Sequence, residues 1–333
     1  MSALGDATHV VPVVQAIRAY WPETRITWII GTLEHRLLDG LPGVEFIPFN
    51  KRGGLSEVRK LRSRLKGHSF DVLLHMQVAL RANLLSLLIR SPLRLGWDKA
   101  RSRDRHHWFT NARIPGQPFQ HQVEGFLEFA RTLGIPTQKT TWNLPIDSDD
   151  AAWAARQIPT DQPVLLISPC SSHRLRNWRA KRYAKVANHA FKALGMHVVL
   201  AGAPSRAERE MADAIVDAAG VPVTDLVGKD TIRQSVALLA RADLVISPDS
   251  GPAHIASAVG TPVIGLYAAT WSRRSGPYRS LDLCVDRFRD AARKFRGKEP
   301  EQLRWGTRIE VAGVMDLVTV DDVIEKLEQA RDF

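Results

Sequence analysis

Cysteine is almost missing from this chain: 333 residues hold two, Cys170 and Cys284. Two thiols make no disulfide framework, which fits a reducing cytoplasm. Cys170 follows an apolar run and reads as a small inert residue. Long apolar runs are missing as well. The most apolar stretch of the N-terminal half, Leu84–Ile89, falls far short of the about 20 residues that span a bilayer. The N-terminus shows no basic region followed by an apolar core, so a signal peptide is not expected. No G-x-G-x-x-G follows an expected strand, which counts against a dehydrogenase. Zinc-ligand spacing, an RNP-type aromatic motif and a basic-helix pattern are all lacking, so nucleic acid is not an expected partner.

Positive charge, by contrast, is plentiful. Lys and Arg number 46 against 35 Asp and Glu, a net charge of +11. By itself that surplus attracts nucleic acid, acidic membrane surfaces or phosphorylated substrates alike. Hydrophobic residues at 44% and charged residues at 24% describe a globular chain. Single cores stop growing below this length, so two domains are expected.

Strand and helix patterns alternate along the chain. Met1–Asp6 reads as the loop after a first strand that the sequence does not contain. Several more residues upstream are expected, because a sheet without that strand exposes its neighbours' edges. Thr8–Tyr20 is expected as a helix, with Val10, Val13, Val14 and Ile17 at suitable spacing and Pro12 tolerated near its first turn. Strands are expected at Arg25–Ile30, Val44–Phe49 and Asp71–Met76. Helices are expected at Thr32–Leu41, Ser56–Lys66 and Phe119–Leu133. Arg94–Arg113, dense in Arg and His with two tryptophans, breaks the alternation and reads as a basic loop. The planar fork of Arg suits a pocket for an anionic acceptor there.

Ile135–Asp150 is the expected linker, and the alternation then restarts. Strands are expected at Pro163–Ser168, His197–Ala201, Ala242–Ile246 and Thr261–Tyr267. Helices are expected at Tyr183–Leu194, Ser205–Ala219, Thr231–Arg241 and Val320–Ala330, the last capped by Thr319. Such a period means doubly wound parallel sheets. The expected architecture is α/β. Two Rossmann-like domains, 1–145 and 146–333, would face each other across a cleft.

One stretch organises the second half: Ser247–Thr270, SPDSGPAHIASAVGTPVIGLYAAT. It reads as the end of a strand, a tight turn, a short small-residue helix stopped by Gly260, and a second strand. Asp249 or Ser250 is expected to cap the helix, and Pro252 fits its first turn. Gly251 lets a ligand approach the backbone. A helix N-terminus at the carboxyl end of a strand suits an anion.

The string D-S-G-P-A-H, followed by G-T-P-V-I-G-L-Y, resembles the signature of the ADP-heptose–lipopolysaccharide heptosyltransferases, glycosyltransferase family 9. The resemblance runs over nearly the whole chain. It is strong in Ser247–Thr270 and fair in Ser2–Pro12 and Ser168–Trp178. It implies the GT-B layout for the two domains and an inverting glycosyltransferase with ADP-L-glycero-D-manno-heptose as donor and the lipopolysaccharide inner core as acceptor. Asp249, Ser250, Gly251 and His254 would hold the donor diphosphate. Ser171, Ser172, Arg174 and Arg176 would contact the same phosphates, with Arg standing where the family usually has Lys before the x-Trp pair. Which of the two arginines faces the phosphate stays open. Glu208 would accept from the ribose hydroxyls. Asp6, in Ser2-Ala3-Leu4-Gly5-Asp6, would be the base, though a helix cap also explains an Asp there.

Arg52, Arg101, Arg103 and Arg105 would receive the acidic groups of the acceptor. The only D-x-D string, Asp147-Ser148-Asp149, lies in the expected linker and reads as an acidic linker or helix cap. No metal or other cofactor is therefore expected. The basic face would hold a cytoplasmic enzyme against the anionic inner-membrane surface. Two alternatives stand beside this reading. One is a GT-B transferase or epimerase using another nucleotide sugar; the other is a nucleotide-binding protein without turnover.

Overall fold

The computed structural model describes residues 4–158 and 161–330. Ser2 and Ala3, part of the loop read before Asp6, lie outside the described residues. The chain divides into two compact units, Met1–Pro145 and Ile146–Phe333.

The first unit runs α1 (Leu4–Tyr20), β1 (Ile26–Gly31), α2 (Thr32–Leu38), β2 (Val44–Phe49), α3 (Gly54–Leu65), β3 (Val72–Leu74), α4 (Leu80–Ser86), β4 (Leu93–Gly96), β5 (Ala112–Arg113) and α5 (Gln122–Thr132). Its strands pair in parallel as two sheets, β1-β2 and β3-β4-β5. Among the described residues no strand joins the two. Helix α1 begins at Leu4, not Thr8, so Asp6 sits inside its first turn rather than in a loop or at its cap. An acidic side chain is favourable there, against the positive end of the helix dipole. Val11, Val13 and Val14 of α1 are buried, and the helix packs on α5, which contributes Val123, Phe126 and Leu127.

Pro12 is not near the first turn; it lies deep inside α1. Proline has no N–H, so the Thr8 carbonyl one turn back loses its helical donor. The Trp142 indole replaces that donor: Nε1 donates to the Thr8 carbonyl at 3.0 Å. Gln15 Nε2 returns a hydrogen bond to the Trp142 carbonyl at 3.1 Å.

The expected basic loop Arg94–Arg113 holds part of β4 and all of β5. Alternation failed to show it because Arg94 turns inward. Its guanidinium donates to the carbonyls of Ser86, Ile89 and Phe109, each at 2.9 Å.

The second unit runs α6 (Ser148–Gln157), β6 (Val164–Ile167), α7 (Ala180–Leu194), β7 (His197–Leu200), α8 (Arg206–Ala218), β8 (Thr224–Asp225), α9 (Ile232–Arg241), β9 (Leu244–Pro248), α10 (Gly251–Val259), β10 (Val263–Tyr267), α11 (Ser272–Ser275), β11 (Val285–Asp286), α12 (Phe288–Arg296) and α13 (Val320–Gln329). Its strands form one parallel sheet in the order β11-β10-β9-β6-β7-β8. The central strands β6, β9 and β10 are buried on both faces, as apolar runs such as Val164–Ile167 and Leu244–Pro248 require. Ser205, Thr231 and Thr319 cap α8, α9 and α13. Asp147 caps α6 and pairs with Arg233 at 2.9 Å, so the D-x-D string starts a helix.

The Pro12–Trp142 relation gives a stability prediction. Replacing Trp142 with Phe keeps the ring and removes the donor, so a buried carbonyl loses its partner, at a cost of about 1–3 kcal/mol. In a Pro12→Ala background the helix supplies its own N–H, and the same change should cost less. Urea unfolding of the four proteins checks this; an equal cost in both backgrounds would contradict it.

Candidate active site

In the second unit, β6, β7 and β8 lead outward in one direction, while β9 lies on the other side of β6 and leads to β10 and β11. The order therefore reverses between β6 and β9. In open parallel sheets the loops at such a point diverge at the carboxyl ends of the strands and leave a crevice for ligands. The loop after β6 is Ser168–Arg179, with a 3-10 turn at Arg174–Arg176. The connection after β9 is only Asp249 and Ser250, and α10 follows at once.

Hydrogen bonds hold these two connections to each other. Ser171 Oγ donates to the Asp249 carbonyl at 2.8 Å, and Ser171 N donates to Asn177 Oδ1 at 2.7 Å. Ser247 Oγ donates to the Ser168 carbonyl at 3.0 Å and lies 2.7 Å from Ser250 Oγ. Ser250 is thus engaged backward. Contrary to the sequence expectation, no side-chain cap bond from Asp249 or Ser250 reaches α10 among the described residues. The helix presents an uncapped N-terminus, the positive end of its dipole, at the carboxyl edge.

The Asp249 carboxylate is the centre of this edge. Arg176 Nη1 donates to its Oδ2 at 3.2 Å, and His254 Nε2 lies 3.7 Å from its Oδ1. Burial pushes the Asp249 carboxyl up. The His254 imidazole, the Arg176 charge and the Thr270 hydroxyl outweigh that and hold it below the ordinary carboxylate range. Arg176 also donates twice to Glu310 Oε1, from Nε at 2.8 Å and Nη2 at 2.7 Å. Two carboxylates therefore clamp Arg176. Arg174, on the same turn, is exposed and pairs with no carboxylate among the described residues. Ser172 is exposed beside it. The choice between the two arginines is thus a difference in role: one is fixed, the other is available.

Glu208 stands after β7. Its Oε2 accepts from the Ala203 amide at 2.7 Å, over Gly202, where a Cβ would come within 2.3 Å of that oxygen. Burial raises its carboxyl, the Ala203 amide opposes this, and the Asp230 charge adds to it. Asp230 itself is pushed up to about 6, mainly by burial. Burial, with the Glu208 charge, pushes the Cys170 thiol up to about 12, so Cys170 stays an unreactive thiol at neutral pH.

A family model described as glycosyltransferase family 9 (heptosyltransferase) matches residues 58–304. The chain belongs to glycosyltransferase family 9. A lipopolysaccharide core heptosyltransferase, OpsX of Haemophilus influenzae, is 39% identical to this glycosyltransferase, over 99% of the chain and 94% of the relative. A family 9 glycosyl transferase structure from Veillonella parvula matches with a TM-score of 0.80 at 19% identity, covering 99% of this chain and 94% of that one. The E. coli heptosyltransferase WaaC with ADP matches with a TM-score of 0.73 at 18% identity, covering 99% and 98%. At those identities the structures show the fold, and that fold is GT-B.

The first unit of this glycosyltransferase places the remaining sequence-read residues. Asp6 Oδ1 accepts from Gln122 Nε2 at 3.4 Å. Arg101 is occupied: it pairs with Asp98, donates to Gln120 Oε1 at 3.0 Å and the Pro115 carbonyl at 2.9 Å, and lies over the Trp97 ring. Arg52, Arg103 and Arg105 are exposed. Sequence reasoning missed Glu310, Asn177 and Asp230. Asn177 sits within the Arg-Asn-Trp spacing and was within reach. Glu310 lies in an irregular stretch with no pattern to mark it.

Asp230 yields a pH prediction. Its folded-state carboxyl titrates near 6, against an ordinary value of 3.8. The folded state therefore holds this proton more tightly than the unfolded chain, and stability falls as pH rises from about 4 to about 6. Asp230→Asn removes that loss. The variant should be more stable than the parent at pH 7 and gain nothing below pH about 4. Melting curves across that range check it, and a constant difference at all pH values would contradict it.

Proposed function

We propose that this glycosyltransferase moves a heptose from ADP-L-glycero-D-manno-heptose to the lipopolysaccharide inner core, with inversion and without a metal. The observation that carries the reading is the uncapped N-terminus of α10 beside the Arg174–Arg176 turn, at the point where the strand order reverses. Main-chain amides and an available guanidinium suit a leaving diphosphate. Ser250, Gly251 and His254 line that helix start, with Ser171, Ser172 and Arg174 on the opposing loop. Arg176 acts from behind, holding Asp249 in its charged form. Glu208 receives the ribose hydroxyls. The name of the Haemophilus relative supports the lipopolysaccharide core as acceptor class, and the ADP complex of the E. coli structure supports the nucleotide.

Asp6 is the proposed base that takes the proton from the acceptor hydroxyl as it attacks the anomeric carbon, from the face opposite ADP. Arg52, Arg103 and Arg105 meet the acidic groups of the acceptor, and Arg101 shapes the loop that carries two of them. No described helix is long and apolar enough to cross a membrane. The proposed location is cytoplasmic, with the basic first unit resting on the inner membrane through its anionic lipids.

Incubation with ADP-heptose and a Kdo-bearing lipid A, followed by mass spectrometry, tests this. One added heptose is expected, unchanged by a chelator. Asp6→Asn should lower turnover by about 10²–10⁴-fold and leave ADP affinity intact. A mass gain with a different sugar nucleotide only, or loss of turnover on chelation, would contradict the proposal.

A further inference from the structure

Helix α4 and the turn that continues it, residues 87–89, are apolar on two sides. Leu85, Leu88 and Ile89 pack against the core of Ile47, Phe49, Leu61 and Leu65. Leu80, Leu84 and Leu87, at helical spacing i, i+4 and i+7, face solvent at 51%, 54% and 63% exposure. Trp108 is exposed at 64%. A globular helix normally turns polar residues outward, so a leucine stripe in water calls for a partner.

The ridge is held rigidly. Buried Asn83 Oδ1 accepts from His75 Nε2 and His106 Nδ1, each at 2.9 Å, while its amide donates to the Asp104 carbonyl at 3.0 Å. Leu80 N donates to Asp104 Oδ2 at 3.0 Å. Burial keeps both imidazoles neutral, His75 down to about 3 and His106 to about 4. The segment bearing Trp108 is therefore tied to the start of α4. Arg105 lies 4.6 Å over the Trp108 ring, and Arg81 ties α4 to the Lys51 carbonyl at 2.6 Å.

Charge identifies the partner. Residues 51–113 hold 15 Lys and Arg against 4 Asp and Glu, a surplus equal to the whole chain's +11. A leucine ridge with an exposed tryptophan, set in the most cationic part of the chain, matches the boundary between anionic headgroups and acyl chains. We infer that Leu80, Leu84, Leu87 and Trp108 insert into an anionic bilayer surface, with the surrounding arginines on its phosphates. This rests on the membrane reading above and names the element that inserts.

The test compares the wild type with a Leu80→Gln/Leu84→Gln/Leu87→Gln variant. Glutamine keeps helix propensity, and the side chains are exposed, so the fold is retained. Both are sedimented with phosphatidylethanolamine–phosphatidylglycerol vesicles and with pure phosphatidylcholine vesicles. The wild type should prefer the anionic vesicles and keep part of its binding at about 1 M salt, where charge attraction is screened. The variant should bind about tenfold more weakly or worse, with all remaining binding released by salt. Its transfer to a deacylated, water-soluble acceptor should be unchanged. Equal binding by both proteins would overturn the inference and leave the membrane reading standing. No binding by the wild type would overturn both, while activity on the soluble acceptor would leave heptose transfer intact. A wild-type dimer that the variant dissolves, with vesicle binding unchanged, would assign the ridge to a second copy and overturn the inference.

Discussion

A buried negative charge survives in a protein only with partners, and Asp249 is such a charge. It is nine-tenths hidden from solvent, yet its carboxyl is held below its ordinary range. Arg176, His254 and Thr270 supply the compensation. Each comes from a different segment: the loop after β6, the first turn of α10, and the loop after β10. Ionisation of one side chain thus fixes the relation of three segments. Glu310 extends the arrangement by taking the rest of the Arg176 guanidinium.

The consequence reaches the proposed chemistry through what is left unused. With Arg176 turned to carboxylates and Ser250 turned to Ser247, the first turn of α10 keeps its dipole without a side-chain cap. Arg174 remains on the outer side of the same 3-10 turn, exposed. A loosely held cation beside a rigid helix start suits a charge that must be gripped during reaction and released afterward. Glu208 is placed by the same economy of parts: Gly202 leaves room for its carboxylate, and the Ala203 amide orients it. The first unit divides its arginines likewise, with Arg94 and Arg101 building loops and Arg52, Arg103 and Arg105 left exposed.

Much of this is legible in the amino-acid sequence. The run Val44–Phe49 is β2 to the residue, and Thr319 caps the helix it precedes. These segments carry their own local physics, so pattern suffices. The Asp-Ser-Gly turn and its flanking strands were equally plain, since a buried parallel strand is an apolar run. Pattern failed where tertiary contact overrides it. Pro12 sits mid-helix because a tryptophan 130 residues away supplies the missing donor. Strand β4 hid behind an arginine satisfied by three carbonyls. Helix α4 hid because its buried positions include the polar Asn83 and Ser86 while Leu80 and Leu84 face solvent, which inverts the usual pattern. The capping role expected for Asp249 or Ser250 failed because Arg176, distant in sequence, takes the Asp249 carboxylate and Ser247 engages the Ser250 hydroxyl. Glu310 gave no signal, since its importance lies wholly in what it touches.

The central claim is that a diphosphate sits at the start of α10, against the 3-10 turn after β6. A crystal structure of the complex with ADP measures this directly. The account predicts phosphate oxygens within hydrogen-bond distance of the Ser250–Gly251 backbone amides and of Arg174, with Arg176 still on Asp249 and Glu310. Phosphates bound away from the α10 start, or an Arg176 that leaves both carboxylates to grip them, would contradict it.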